Sequence, residues 1–185
     1  MIFSEQKVAQ MAAYFLNRRG GRMAYLKLMK LLYLADRESM DRYSAPISDD
    51  HHVSMTHGPV LSNTLNLITG QVESPAWRSW VSPDARYQVS LSRPVTDRDE
   101  LDELSDADIE ILEFVWNKFG HMDRWQIRQY THDECAEWED PGNSSMPIDP
   151  RSLFVALGHT RERADAEARE IFERKALGRI VSELI

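Results

Sequence analysis

Met23-Ala24-Tyr25-Leu26-Lys27-Leu28-Met29-Lys30-Leu31-Leu32-Tyr33-Leu34-Ala35-Asp36-Arg37-Glu38-Ser39-Met40-Asp41-Arg42-Tyr43 holds no glycine or proline and is rich in strong helix formers. At about 100° per residue, its apolar side chains cover an arc of roughly 220°, wider than the single stripe of a surface helix. That width predicts a central helix with neighbours on most sides. Lys27, Lys30, Arg37 and Asp41 share the remaining face, with Leu34 among them. This polar stripe is the first candidate surface for a partner. Asp36 falls in the middle of the apolar arc, so its carboxylate needs a donor or a cation. For Asp36-Arg37-Glu38 the expectation is a buried or half-buried ion pair that locks the helix to its neighbours.

The flanking segments extend the helical pattern. Ser4 is placed to cap a first helix with Val8, Met11, Ala12, Phe15 and Leu16 on one face, ended by Gly20-Gly21. His51 to His57 alternates Val53 and Met55 against Ser54 and Thr56, which predicts a short strand. Gly58-Pro59 stops that strand, with Pro59 at the first position of a helix reaching about Ile68. Trp80-Val81 and Tyr87 to Leu91 predict a hairpin around Pro83-Asp84, and with the Val53 strand a small antiparallel sheet of about three strands. Ser105 with Asp108, Asp123, and Asp149-Pro150 each mark a helix start. A last helix runs from Thr160 to Ile185, its Ile171, Phe172, Leu177, Ile180, Val181 and Leu184 forming an apolar seam. The seam either completes the core or serves a partner groove or a second copy of the chain, as in a homodimer. The fold class is α+β: a mostly helical single domain around a buried central helix, with one small antiparallel sheet. Residues 1–158 read as the domain and 159–185 as a C-terminal helix packed on it.

Composition narrows the function. The 185 residues carry 30 acidic against 22 basic side chains, a formal net charge of -8. Phosphate affinity rests on clusters of Lys and Arg, so no nucleic-acid partner is expected. One cysteine, Cys135, forbids an internal disulfide and fits a reducing cytoplasm. No apolar run approaches a membrane span, and no signal-peptide core is visible.

Lys27-Leu28-Met29-Lys30-Leu31-Leu32-Tyr33-Leu34-Ala35-Asp36-Arg37 resembles the long-helix motif of the Panacea-domain proteins, also called SocA-like antitoxins. Met55-Thr56-His57-Gly58-Pro59-Val60 is similar to that family's second signature. Leu104-Ser105, Trp125, Thr131-His132 and Glu137-Trp138 are similar to later landmarks, so the likeness covers about Ser4 to Leu157. The resemblance makes Lys30, Tyr33, Asp36, His57, Gly58, Pro59 and Trp138 structural-motif residues. It implies an antitoxin that neutralises a cognate toxin, encoded by an adjacent gene, through direct protein contact. An adaptor that delivers the toxin to a AAA+ protease is the alternative. The family brings no catalytic residue and no cofactor.

Other chemistry ranks lower. His57 at the Gly58-Pro59 junction suits a structural hydrogen-bonding role, because imidazole donates and accepts at once. His51, His52 and His57 with Asp49 and Asp50 invite a metal-dependent hydrolase. Adjacent histidines on a strand point to opposite faces, however, and cannot easily share an ion. Cys135 with His132 as base is a weak nucleophile candidate, because Asp133, Glu134 and Glu137 would raise the thiol pKa. The chain is therefore expected to bind rather than to catalyse.

Overall fold

The structure, a computed structural model, describes residues 2–184. Helix α1 (Glu5–Arg18) starts where Ser4 Oγ accepts from Lys7 N, and a short strand β1 (Arg22–Ala24) leads into α2 (Tyr25–Tyr43). Then follow β2 (His52–Met55), β3 (Gly58–Leu61), α3 (Ser62–Thr69), α4 (Pro75–Arg78), β4 (Val81–Asp84) and β5 (Gln88–Leu91). Helices α5 (Asp106–Phe119) and α6 (Arg124–Glu134), strand β6 (Met146–Pro147), and helices α7 (Pro150–Ala156) and α8 (Arg161–Glu183) complete the chain.

The predicted caps form as read. Ser105 and Asp108 make a reciprocal capping box, Asp123 makes another with Gln126, and Asp149 caps α7 ahead of Pro150. Each cap supplies acceptors for first-turn N–H groups that have none inside the helix.

Helix α2 is the centre. It touches α1, α3, α5, α6, α7, β1 and β3, and every residue from Lys27 to Asp36 is buried. Leu28, Leu31, Leu32, Tyr33 and Ala35 are fully enclosed with Val8, Met11, Phe15 and Leu16 of α1. Each large side chain so enclosed stabilises by about 1.5–3 kcal/mol. The wide apolar arc is thus accounted for by neighbours all round.

The fold class is α+β, as expected, but the strands divide differently. The hairpin β4–β5 pairs with β1 in the order β1-β5-β4, with Met23 opposite Val89. The Val53 strand does not join it; it lies in a second sheet of order β3-β2-β6. Gly58-Pro59 opens β3 instead of a helix, and helix α3 begins only at Ser62. Pro59 is tolerated because β3 is an edge strand, where a missing N–H costs little. In β2 the buried positions are His52 and Ser54, with Val53 and Met55 half-buried, the reverse of the expected face. The inward face is polar because it answers polar groups there: His52 approaches Asp36, and Ser54 Oγ accepts from Glu139 N.

Helix α8 packs on α7 and buries Ala164, Ala168 and Ile171. A polar latch reinforces this: Glu167 meets Ser44 Oγ at 2.7 Å, Arg163 Nε at 2.8 Å and His159 Nδ1 at 2.6 Å. The expected seam does not complete the core. Beyond Ile171, its Phe172, Leu177, Ile180, Val181 and Leu184 are exposed, and Ile185 lies outside the described residues.

Candidate functional site

The residues singled out in the sequence fall into three buried clusters along α2. At the first, Asp36 is fully buried and accepts from Ile47 N at 3.0 Å, Ser48 N at 2.9 Å and the Ser48 hydroxyl. At Asp36 itself the partners are backbone and hydroxyl donors of the loop after α2, and the half-buried ion pair expected of Asp36-Arg37-Glu38 forms at Arg37, with Glu137. His52 Nε2 stands 3.2 Å from Asp36 Oδ2 but is too poorly aligned for a hydrogen bond. Asp36 thus anchors the loop after α2.

The second cluster sits on Glu137, whose side chain is 0% exposed against 19% for that of Arg37. Arg37 Nε donates to Oε1 at 2.8 Å and Nη2 to Oε2 at 3.3 Å, a two-pronged contact, while Tyr33 Oη donates to Oε1 at 2.8 Å. Burial and the neighbouring Glu137 charge push the Tyr33 pKa up. Burial works against the Arg37 charge, but the Glu137 hydrogen bonds and charge outweigh it and raise its pKa. This clamp ties α2 to the segment after α6.

The third cluster carries the Gly58-Pro59 signature. Lys30, fully buried, donates from Nζ to Pro59 O at 2.7 Å. Gly58 has φ +90, and a Cβ there would stand 2.8 Å from Thr131 Oγ1 and 2.9 Å from Lys30 Nζ. Only glycine fits both the backbone and the space. Trp138 Nε1 donates to Met55 O at 3.0 Å, and its ring stacks on His132 at 4.0 Å. His57, expected to play a structural hydrogen-bonding role, is exposed at the turn between β2 and β3 and lines a groove.

The polar stripe is largely an interior surface. Lys27 runs its stem inward and donates to Gly120 O at 2.6 Å, and Leu34 is 4% exposed. With Lys30 and Arg37 engaged as above, Asp41 alone keeps an open carboxylate, 46% exposed and 3.3 Å from His159 Nε2. Helices α5 and α6 cover this face. A long amphipathic lysine can bury its stem if its amine finds a carbonyl, and here two do.

Burial pushes the Lys30 pKa down to about 7, with nearby Arg128 adding to the effect. The unfolded chain, with lysine near 10.4, then binds more protons than the folded one between about pH 7 and 10. Stability should rise with pH across that window, and the penalty of the buried charge is fully present below pH 7. Lys30→Met keeps the volume and removes the titration. Urea unfolding at pH 6 and pH 9 should show wild type gaining on the order of 2 kcal/mol over the variant. Equal pH dependence in both would contradict the burial of this amine.

Burial, with Glu137 next, pushes Cys135 up to about 12, so its thiol keeps its proton at neutral pH and is no ready nucleophile. His51 is exposed, His52 buried against Asp36 and His57 exposed at the turn, so the three do not converge. Among the described residues no three His, Cys, Asp or Glu side chains gather as a metal would need, and no helix is long and apolar enough to cross a membrane.

What sequence reading missed is a pair of adjoining grooves at the start of α2. They share Tyr25, Leu26 and His57; one extends toward Met55 and Leu65, the other toward Tyr87, Arg124 and Trp125. Exposed aromatics carry no sequence mark that separates them from core aromatics, so only the fold reveals them.

Comparison with curated proteins found no match, and comparison with solved structures found none either. Residues 28–139, more than half of the 185, match the family described as "Antitoxin SocA-like, Panacea domain". The matched segment runs from the buried face of α2 past Trp138, and so contains all three clusters. The chain belongs to the SocA-like antitoxin family defined by the Panacea domain.

Proposed function

We propose that this protein is the antitoxin of a toxin–antitoxin pair and neutralises its toxin by covering it, without chemistry of its own. The family match over residues 28–139 carries the reading. The use of its polar residues supports it: Asp36 and Lys30 bond loop and backbone groups within the domain, and Glu137 bonds the Tyr33 and Arg37 side chains of α2. Cys135 holds its proton, which leaves no activated nucleophile there. Residues 1–158 act as the binding domain in the cytoplasm, and 159–185 as an added helix upon it.

The test is co-expression with the product of the adjacent gene. Growth should stop with that product alone and resume when this chain is present, with the product still at its full level. Disappearance of the product, reversed by deleting a AAA+ protease, would instead favour the adaptor. Absence of rescue at matched expression would end the antitoxin reading.

A further inference from the structure

The adjoining grooves at the start of α2 are open on a chain whose formal net charge is -8. One has a volume of about 390 Å³ and the other about 400 Å³, each room for one or two bulky side chains. Beside them Tyr87 is 75% and Trp125 54% exposed. Large aromatics left so open, next to arginine, match the make-up of residues that dominate binding energy at protein interfaces.

The aromatics are held in place. Arg86 and Tyr87 at the β4–β5 turn both take left-handed backbone, φ 60 and φ 62, where glycine or asparagine is usual. Tyr25 N donates to Tyr87 O at 3.0 Å, and the two rings stand 6.2 Å apart, so the turn is pinned to the first residue of α2. Trp125 lies in the first turn of α6, its backbone N–H donating to Asp123 Oδ1, with the Arg124 guanidinium 4.9 Å from its ring centre. Rings ordered before a partner arrives lose less freedom on binding.

Charge selects the partner. The chain has 30 acidic side chains, yet among the described residues neither groove is lined by Asp or Glu, while Arg124 and His57 do line them. The neighbouring carboxylates are engaged elsewhere: Asp84 with Arg22 and Ser90, Asp123 with the first turn of α6. An acidic group entering here meets a guanidinium and an imidazole with no carboxylate lining the groove to repel it.

We propose that the paired grooves bind a segment of the toxin that carries two large apolar side chains and at least one carboxylate. The apolar groups fill the space over Tyr25 and Leu26 between Tyr87 and Trp125, and the carboxylate pairs with Arg124. This rests on the antitoxin reading above and locates the contact within it.

The probes are the adjacent gene's product and short overlapping peptides that tile it, applied to the full chain. Tyr87→Ala with Trp125→Ala should weaken binding of that product about tenfold or more, with the melting temperature kept, since both rings are exposed. Arg124→Glu should weaken it likewise, and a Glu→Arg change in the bound peptide should restore binding to that variant. The peptide that perturbs the nuclear magnetic resonance signals of His57 and Tyr87 should be acidic and apolar. If wild type binds the product and all three substitutions leave affinity unchanged, the groove proposal falls and the antitoxin reading stands. A basic peptide in the groove, or loss of self-association in Arg124→Glu, would also overturn it. If wild type does not bind the product at all, both fall together.

Discussion

Asp36→Ala is expected to unfold at a much lower temperature than wild type, by roughly 10 °C for a chain of this size. The carboxylate is fully buried and serves two backbone N–H groups and a hydroxyl, at Ile47 and Ser48. Removing it leaves those donors inside the protein without acceptors, because the loop that carries them is enclosed with it. Hydrogen bonds to a charged group contribute about 1.5–3 kcal/mol each, and orphaned donors add their desolvation cost. Non-additivity keeps the total near 3–5 kcal/mol. Arg37→Ala should cost less, about 1–3 kcal/mol. Arg37 lies at the edge, 19% exposed, so water can take its place on Glu137 while the Tyr33 hydroxyl stays bonded. Thermal melts of the two variants side by side check this order. Unchanged melts for both would remove Asp36 as the anchor of the loop.

Gly58→Ala should be nearly as damaging, for a different reason. The backbone there sits at φ +90, which costs an alanine about 1–2 kcal/mol by itself. The added methyl would also meet Thr131 Oγ1 and Lys30 Nζ at 2.8 and 2.9 Å, and neither is loose. Thr131 Oγ1 donates to Arg128 O at 2.8 Å, and Lys30 to Pro59 O at 2.7 Å. Displacing such packed groups costs a further 1–3 kcal/mol or so. Gly70→Ala is the natural comparison, since Gly70 has φ +71 and nothing within 4 Å of an added Cβ. It should lose only the backbone part. Urea unfolding that gave the two variants equal losses would show that the junction of β3, α2 and α6 is less tightly packed than its distances indicate.

The comparison of sequence with structure turns on where the informative signal lies. The apolar arc from Tyr25 to Met40 and the caps at Ser4, Ser105, Asp123 and Asp149 are local, and they were readable as such. An outer strand of each sheet was not, because Arg22–Ala24 in the first and Met146–Pro147 in the second are too short to show an alternation; their partners make them strands. Lys27 and Lys30 looked like a solvated face because charge is local information. Their acceptors, Gly120 O and Pro59 O, lie 93 and 29 residues away in the chain. For the same reason Asp36 announced that it needed a partner without naming Ser48. The grooves at Tyr87 and Trp125 were hidden for the opposite reason: an aromatic side chain predicts burial, and these two are open.

These observations divide the protein into a rigid interior and an open end. The landmarks at Lys30, Asp36, Gly58 and Trp138 hold α2 against both its neighbours and the second sheet. The exposed aromatics lie at the start of α2, beside His57, where the third cluster reaches the surface. A partner bound there would rest on the best-supported part of the fold.

The most direct test of the proposed neutralisation by contact mixes purified protein with the purified product of the adjacent gene, the toxin in that proposal. Analytical ultracentrifugation, with the product's toxic activity assayed on the same samples, should show one stable complex and an activity that falls in step with its formation. Full toxic activity in the presence of excess folded protein, with two separate sedimenting species, would contradict it.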